Sequence, residues 1–508
     1  MARLRGKSPE SQDAARRRLG VLAGSAHFLC QHWPKVLLIS ALVITPCLWH
    51  RHIEAGDLGS HVYNAWLVHR IQHGQAPGLS VTPQVQNILF DSLLSGLGSV
   101  FSLPAGEKIA VSLAVLIFFW GTFTLLCVAS QRVAWTFLPC VAMLTYGWTF
   151  HAGLFNYYIS LGLSFFGIAV FWRGSRRERI AALALAPIIL IAHPLGLASL
   201  FGIGGLILAA ETLPARYHPV LPASAAAVFF ILERYLSHHY MVLNPGWIEY
   251  LINGTDQIVI FGHRYNFLAG ATLFFALAGL VTDVVRRRRE GGAWIHYRLP
   301  VHLYFSAQMG IFFLPSAVYL PKYGAPLSML LERLSLVSAV MGCCVLSMIK
   351  PHKWHAAGFG AIAAVFFMFL YQDTASLSRM EDEVDRLVQT LPPGQRVLET
   401  ISTEPSWRAY IAAHMLDRAC IGHCFAYGNY EPSSNQFRVR AAPGNRIVMT
   451  SYDDTESMER GTYTVKPTDL PAYQVYQCSL SVSDLCIRPL DAGETNNRLG
   501  MHPEGLPH

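Results

Sequence analysis

An acidic residue placed just after an apolar span is where this sequence best accommodates chemistry. The stretch Glu54-Ala55-Gly56-Asp57-Leu58-Gly59-Ser60-His61 follows the first hydrophobic segment and leads into a helical pattern. Asp57 therefore stands at a helix start near the membrane surface. A carboxylate there serves as general base to an acceptor hydroxyl or amine, or holds a divalent cation against a phosphate. The alternative is that Asp57 caps the helix beginning at Leu58, a position aspartate favours. His61, four residues on, is a candidate substrate-binding group.

Other ionisable groups interrupt or flank apolar segments, where they are costly unless they face protein or a water-filled cavity. Glu332 beside Arg333 fits an internal pair, His193-Pro194 marks a turn, and His151 and Asn156 lie at segment ends. The stretch from Ser237 to Arg264 holds His238, His239, Trp247, Glu249, Tyr250, Asp256 and His263. Aromatics of this kind suit either an interfacial belt or stacking on sugar rings. Asn253-Gly254-Thr255 fits the glycosylation acceptor pattern.

The elements that carry these residues follow from composition. The chain has 508 residues, 52% hydrophobic and 14% charged, against about 25% charged in an ordinary soluble domain. A single soluble core is excluded. The net charge of +7 is spread between apolar segments rather than gathered on a stripe, so nucleic acid is excluded as a partner. From about Gln372 the apolar runs stop and charged, Pro and Tyr residues take over.

A span needs about 20 mostly apolar residues, because lipid offers the backbone no hydrogen-bond partner. Segments near 35–50, 108–128, 133–150, 155–172, 179–193, 195–211, 219–236, 265–285, 299–320, 327–349 and 354–371 meet this pattern. About eleven spans are expected. With the N-terminus inside, Arg132, Arg173 to Arg179, Arg216, Arg286 to Arg289, Arg298, Lys350 and Lys353 fall on cytoplasmic connections, as the positive-inside rule requires. This parity holds only if 84–103 is not a span. The first outer loop, 51–107, then contains two amphipathic helices in the interface. One is patterned by Leu58, Val62, Ala65, Trp66 and His69, the other by Val85, Ile88, Leu89, Leu93, Leu97 and Phe101.

The expected architecture is thus an all-α polytopic membrane domain, 35–371, preceded by a largely disordered cytoplasmic tail, 1–34. It is followed by a small extracytoplasmic α/β or α+β domain, 372–508, with a charged helix near 377–389, a strand over 395–400 and a helix near 407–415. Cys420, Cys424, Cys478 and Cys486 form an even set in that outer domain, where disulfides persist. Cys420 with Cys424 and Cys478 with Cys486 are the shortest pairings among three connectivities. The spacings contain no good zinc site, and no metal ligands are assigned.

The order of a short tail, one span, a long outer loop opening with Asp, a helix ending in Gly74-Gln75-Ala76-Pro77, a Pro-led helix from Pro83, many spans and an outer C-terminal domain resembles the GT-C superfamily. These membrane glycosyltransferases use polyprenyl-phosphate-linked sugars and include protein O-mannosyltransferases and aminoarabinose transferases. The resemblance implies a membrane enzyme that moves a sugar from such a donor to a glycan, lipid or protein acceptor at the outer face, and the compact loops and short cytoplasmic tail point to a bacterial inner membrane. It makes Asp57 the catalytic acidic residue and requires a cation for the donor phosphate. His263, Arg264, Lys322 and Arg333 are the candidates, each also suited to anchoring at the interface. No resident cofactor is implied beyond an optional divalent cation. Two departures stand: Leu58 occupies the place of the family's second acid, and Ser80-Val81-Thr82 lacks the lysine found before the Pro-led helix in aminoarabinose transferases. A non-catalytic scaffold or glycolipid-binding protein is the alternative; a transporter is the other, without the internal repeats it would call for.

Overall fold

The computed structural model describes residues 21–246, 249, 252–290, 298–401, 407–442, 444–479 and 484–497. The basic residues up to Arg18, and Trp247 and Tyr250 of the aromatic loop, lie outside them.

The chain is mostly helical. Its longer helices are α1 (Val21–Ile44), α2 (Leu58–Gln72), α3 (Leu89–Val100), α4 (Leu103–Ser130), α5 (Phe155–Arg173), α6 (Pro194–Thr212), α7 (Val220–His239), α8 (Arg264–Arg289), α9 (Arg298–Phe313), α10 (Leu330–Ser347) and α11 (Lys353–Val388). Three short helices follow: α12 (Met415–Ala419), α13 (Tyr430–Ser434) and α14 (Tyr452–Arg460). Among the described residues, eight helical segments are long and apolar enough to cross a membrane: Phe28–Cys47, Leu103–Ser130, Phe155–Arg173, Pro194–Thr212, Ala215–His239, Arg264–Arg289, Leu330–Ser347 and Lys353–Val388. The chain is an integral membrane protein by this pattern.

The other three expected spans do not form one unbroken α-helix of that length among the described residues. Segment 133–150 divides into Leu138–Thr145 and Trp148–His151 around Gly147, whereas 179–193 stays helical from Arg176 to Ala192 but tightens to a 3-10 turn over Leu183–Leu185, just before Pro187. Segment 299–320 stops at Phe313, because Pro315 cannot continue a helix. Ala317–Tyr319 then pairs antiparallel with Met241–Leu243. The first helix also differs from expectation: the chain is already helical at Val21, so the described end of the expected tail is continuous with the first span.

In α4 the Ser102 hydroxyl accepts from the Ala105 N–H and Pro104 fills the first turn, an ordinary helix start. Against α5, α4 packs closely where Gly121 faces Gly162; a Cβ on Gly121 would lie 2.2 Å from the Gly162 carbonyl oxygen. Small residues at such crossings let backbones approach, the usual basis of helix association in lipid.

The strands, in chain order, are β1 (Leu79–Val81), β2 (Met241–Leu243), β3 (Ala317–Tyr319), β4 (Arg396–Thr400), β5 (Phe425–Ala426), β6 (Val439–Ala441), β7 (Ala472–Gln477) and β8 (Leu485–Pro489). A four-stranded sheet has the order β5-β4-β7-β8, with β4 parallel to both neighbours and β7–β8 antiparallel. The expected strand over 395–400 is thus the centre of a small α/β sheet. Cys420–Cys424 and Cys478–Cys486 are the disulfides, the two shortest pairings.

No break separates this C-terminal unit from the membrane helices. The expected charged helix near 377–389 is the distal half of α11, whose 36 residues run unbroken across the expected boundary. At about 1.5 Å per residue, α11 is about 54 Å long, well beyond the ~30 Å hydrocarbon layer. The unit also pairs β6 with β1 of the first loop. It packs over α2, and Leu58 to Ala65, Leu67 and Val68 are all buried. The expectation of α2 as a half-wet interfacial helix is corrected: the C-terminal unit covers the face that would have met water. Helix α3, with 12 residues, is too short to span and carries its apolar residues largely on one side.

Arg418 closes the junction. Its guanidinium lies 2.6 Å from Glu381 of α11 and 3.2 Å from Glu107 of α4, and donates to the Ile53 carbonyl at 3.3 Å.

Candidate active site between the first loop and the C-terminal unit

Asp57 precedes α2, yet its side chain makes no capping hydrogen bond. The carboxylate is therefore free of the structural duty that its position suggested. Its backbone is fixed instead: the Gly56 and Asp57 N–H groups donate to the His151 and Ala152 carbonyls at 2.8 and 3.3 Å, and His151 Nδ1 lies 2.7 Å from the Glu54 carbonyl oxygen. Gly153, at φ +80°, permits this approach, since a Cβ there would come within 2.4 Å of the Asp57 nitrogen. On the other side Gly59 faces the His414 carbonyl, 2.1 Å from where a Cβ would stand.

The side chain of Asp57 is one-third exposed and lies 3.7 Å from His414 Nε2. The other ring nitrogen of His414 bonds Asp417 at 3.0 Å. Burial works against a charged ring here, but the Asp417 hydrogen bond and charge, with Asp57 adding, lift His414 to about 10. His414 is thus an imidazolium held between two carboxylates, its ring tilted on Tyr430 at 5.2 Å. Behind it, Glu399 is pushed up and Glu459 raised to about 7, both mainly by burial.

His61 Nδ1 donates to Asp91 of α3 at 2.8 Å, and Asn156 of α5 donates to the other Asp91 oxygen at 2.8 Å. Glu431 of α13 completes a buried group with His61 and Asp91. Burial opposes the His61 charge, yet Asp91, aided by Asp57 and Glu431, lifts the ring to about 9. Burial and the neighbouring Asp91 raise Glu431 to about 8. Asn64 and Asn429 exchange two amide hydrogen bonds of 3.2 and 2.8 Å alongside.

Arg333 of α10 supplies a cation. Its NH1 is 2.9 Å from His193 Nε2, its guanidinium stacks 5.7 Å from the Tyr157 ring centre, and the Asp57 charge reaches it. Its Nε is buried with no hydrogen-bond partner. No ion pair within 4.0 Å joins Glu332 to Arg333, although the Glu332 charge reaches it; the Arg333 guanidinium turns to His193 and Tyr157.

Of the residues singled out in the sequence, Asp57, His61 and Arg333 share one region, and His263, Arg264 and Lys322 have other surroundings. Arg264 is ion-paired with Asp373 and lies over Phe369, which ties α8 to α11. Lys322 is exposed beside Tyr323, and His263 is exposed at the start of α8. The 427–440 stretch, suited either to glycan recognition or to a plain loop, delivers Asn429, Tyr430 and Glu431 to the site. Asp91, Asp417 and Glu431 are contributors that sequence reasoning missed. The Asn253 of the acceptor-type triplet accepts from its own Thr255, closing a local turn.

No protein-family model matches the chain, and no curated protein matches it. Among solved structures it is similar to the archaeal oligosaccharyltransferase AglB from Archaeoglobus fulgidus in complex with an inhibitory peptide and a dolichol-phosphate. The identity is 12%, over 88% of this chain and 70% of that one, with a TM-score of 0.38.

Proposed function

We propose that this chain is an integral membrane glycosyltransferase that moves a sugar from a polyprenyl-phosphate-linked donor to a glycan, lipid or protein acceptor at the outer face of a bacterial inner membrane. The observation that carries this reading is the uncapped Asp57 carboxylate, 3.7 Å from His414 and within the field of Arg333. A base and a cation with an unpartnered N–H stand together where span ends meet the C-terminal unit.

In this mechanism Asp57 takes the proton from the acceptor hydroxyl or amine as its lone pair attacks the anomeric carbon. The bond from that carbon to the phosphate oxygen breaks, and its electron pair leaves with the polyprenyl phosphate. One displacement inverts the anomeric centre. Arg333 offsets the charge on the departing phosphate, and His414, held by Asp417, flanks the Asp57 carboxylate at 3.7 Å. With all eleven apolar segments counted as crossings, the three interrupted ones included, positive-inside parity supports a cytoplasmic N-terminus and an extracytoplasmic C-terminal unit.

Leu58, fully buried in the place of a second acid, favours a second reading as a non-catalytic glycolipid-binding protein with the same fold. Asp57→Asn separates the two. In membrane vesicles given a lipid-linked sugar, transfer falls at least ~100-fold if Asp57 is the base, with protein level and thermal stability unchanged. Undiminished product from Asp57→Asn rejects the enzymatic reading.

A further inference from the structure

His61, Asp91 and Glu431 come from α2, α3 and α13, and all three are buried. Each presents a ligand atom, and these atoms lie within 4.8 Å of one another. The group is more than a collection of acids, because Glu431, 2% exposed, buries its Oε2 with no hydrogen-bond partner. A carboxylate oxygen removed from water in this way is costly unless something positive meets it. The nearby cations are His61 and Arg438, but the His61 hydrogen bond goes to Asp91 at 2.8 Å and that of Arg438 on this side to Ser95 Oγ at 3.1 Å, so neither meets Glu431 Oε2.

We propose that His61, Asp91 and Glu431 bind a divalent transition-metal ion of the Zn2+ or Mn2+ class. One imidazole nitrogen and two carboxylates suit these ions, whereas Mg2+ and Ca2+ prefer oxygen ligands alone. A neutral imidazole and two carboxylates balance a charge of +2. Three protein ligands leave a coordination position open, as in sites where the ion meets water or substrate. Asn156 holds the outer oxygen of Asp91 and is itself fixed, its Oδ1 accepting from the Phe90 N–H at 2.7 Å. Such support orients ligands in metal sites. The second His–Asp–Asp group, His52 with Asp382 and Asp385, has no such vacancy of charge, because Arg51 bridges its two acids at 2.6 and 3.0 Å. An ion in the first group would link both helices of the first loop to the C-terminal unit, and its binding is independent of whether Asp57 acts as a base.

The test uses the full-length protein in detergent, stripped with chelator and reloaded with Zn2+, Mn2+ or Mg2+. Wild type should retain about one equivalent of Zn2+ or Mn2+ through gel filtration and no Mg2+. Asp91→Asn and Glu431→Gln should bind at least tenfold more weakly, while Asp57→Asn and Asp382→Asn bind as wild type. A Co2+-loaded wild type gives a reading that needs no variant: visible bands of a four- or five-coordinate nitrogen and oxygen site, discharged by one equivalent of Zn2+. Retention of no metal by wild type, binding untouched by both ligand variants, or Co2+ that stays octahedral overturns the proposal.

Discussion

Replacing Arg418 with glutamine should loosen the whole junction between the C-terminal unit and the membrane helices. The Arg418 side chain is 11% exposed and its partners Glu381 and Glu107 are 1% and 8% exposed. A close pair of this kind attracts by roughly 4 kcal/mol at an effective dielectric near 20, but desolvation offsets most of that attraction. What the substitution exposes is the other side of the balance: two buried carboxylates lose their counter-charge, with Glu54 close enough to be felt by both. Breaking a buried pair from one side costs about 3–5 kcal/mol. Arg418→Lys keeps the charge but loses the fork that reaches Glu381, Glu107 and Ile53 together, and should lose less. Thermal unfolding in detergent can be followed with a thiol-reactive dye, since Cys47, Cys140, Cys343 and Cys344 are buried and unpaired. Limited proteolysis between α11 and β4 reports the junction itself. Arg418→Gln within ~1 kcal/mol of wild type, with an unchanged cleavage pattern, would show that the junction rests on packing and refute the electrostatic account.

Two further outcomes are expected. His414 binds its proton more tightly when folded, at about 10, than at its ordinary 6.5; its contribution to stability is therefore full below about pH 6.5 and lost as pH rises through about 10. Melting temperature should decline across pH 7–10 in wild type and more shallowly in His414→Gln, and equal slopes would count against a charged His414. Asn64→Leu strands the buried amide of Asn429 and should destabilise by about 1–3 kcal/mol; adding Asn429→Leu should recover part of that loss in a double-mutant cycle, and strict additivity would mean the two amides act separately.

Much of the fold was legible because lipid imposes a simple rule on composition. Eight of the apolar runs became helices long enough to cross a membrane. The three that did not carry Pro139 and Gly147, Pro187, or Pro315, and a hydropathy window weighs composition without seeing the backbone. Asp57 could be found because an acid just before a helical pattern is a local signal, and the two disulfides because short loops dominate their geometry. Asp91 was hidden in a segment valued only for its apolar face, and Glu431 in a Tyr- and Asn-rich stretch of ordinary loop composition. Arg264 and Lys322 stood at the right span ends, but a span end does not fix which neighbour a cation meets; Arg264 found Asp373 of α11. Burial of α2 was invisible because its cover comes from the far end of the chain.

The Asn64–Asn429 contact joins positions 365 residues apart. At roughly 5–20 residues per second, a ribosome needs about 20–70 s to travel from one to the other. For that interval the first loop stands without its lid, and a polypeptide interrupted before Glu431 never acquires one. Closure of the cleft around Asp57 is thereby tied to near-completion of translation, so an interrupted copy keeps that cleft uncovered.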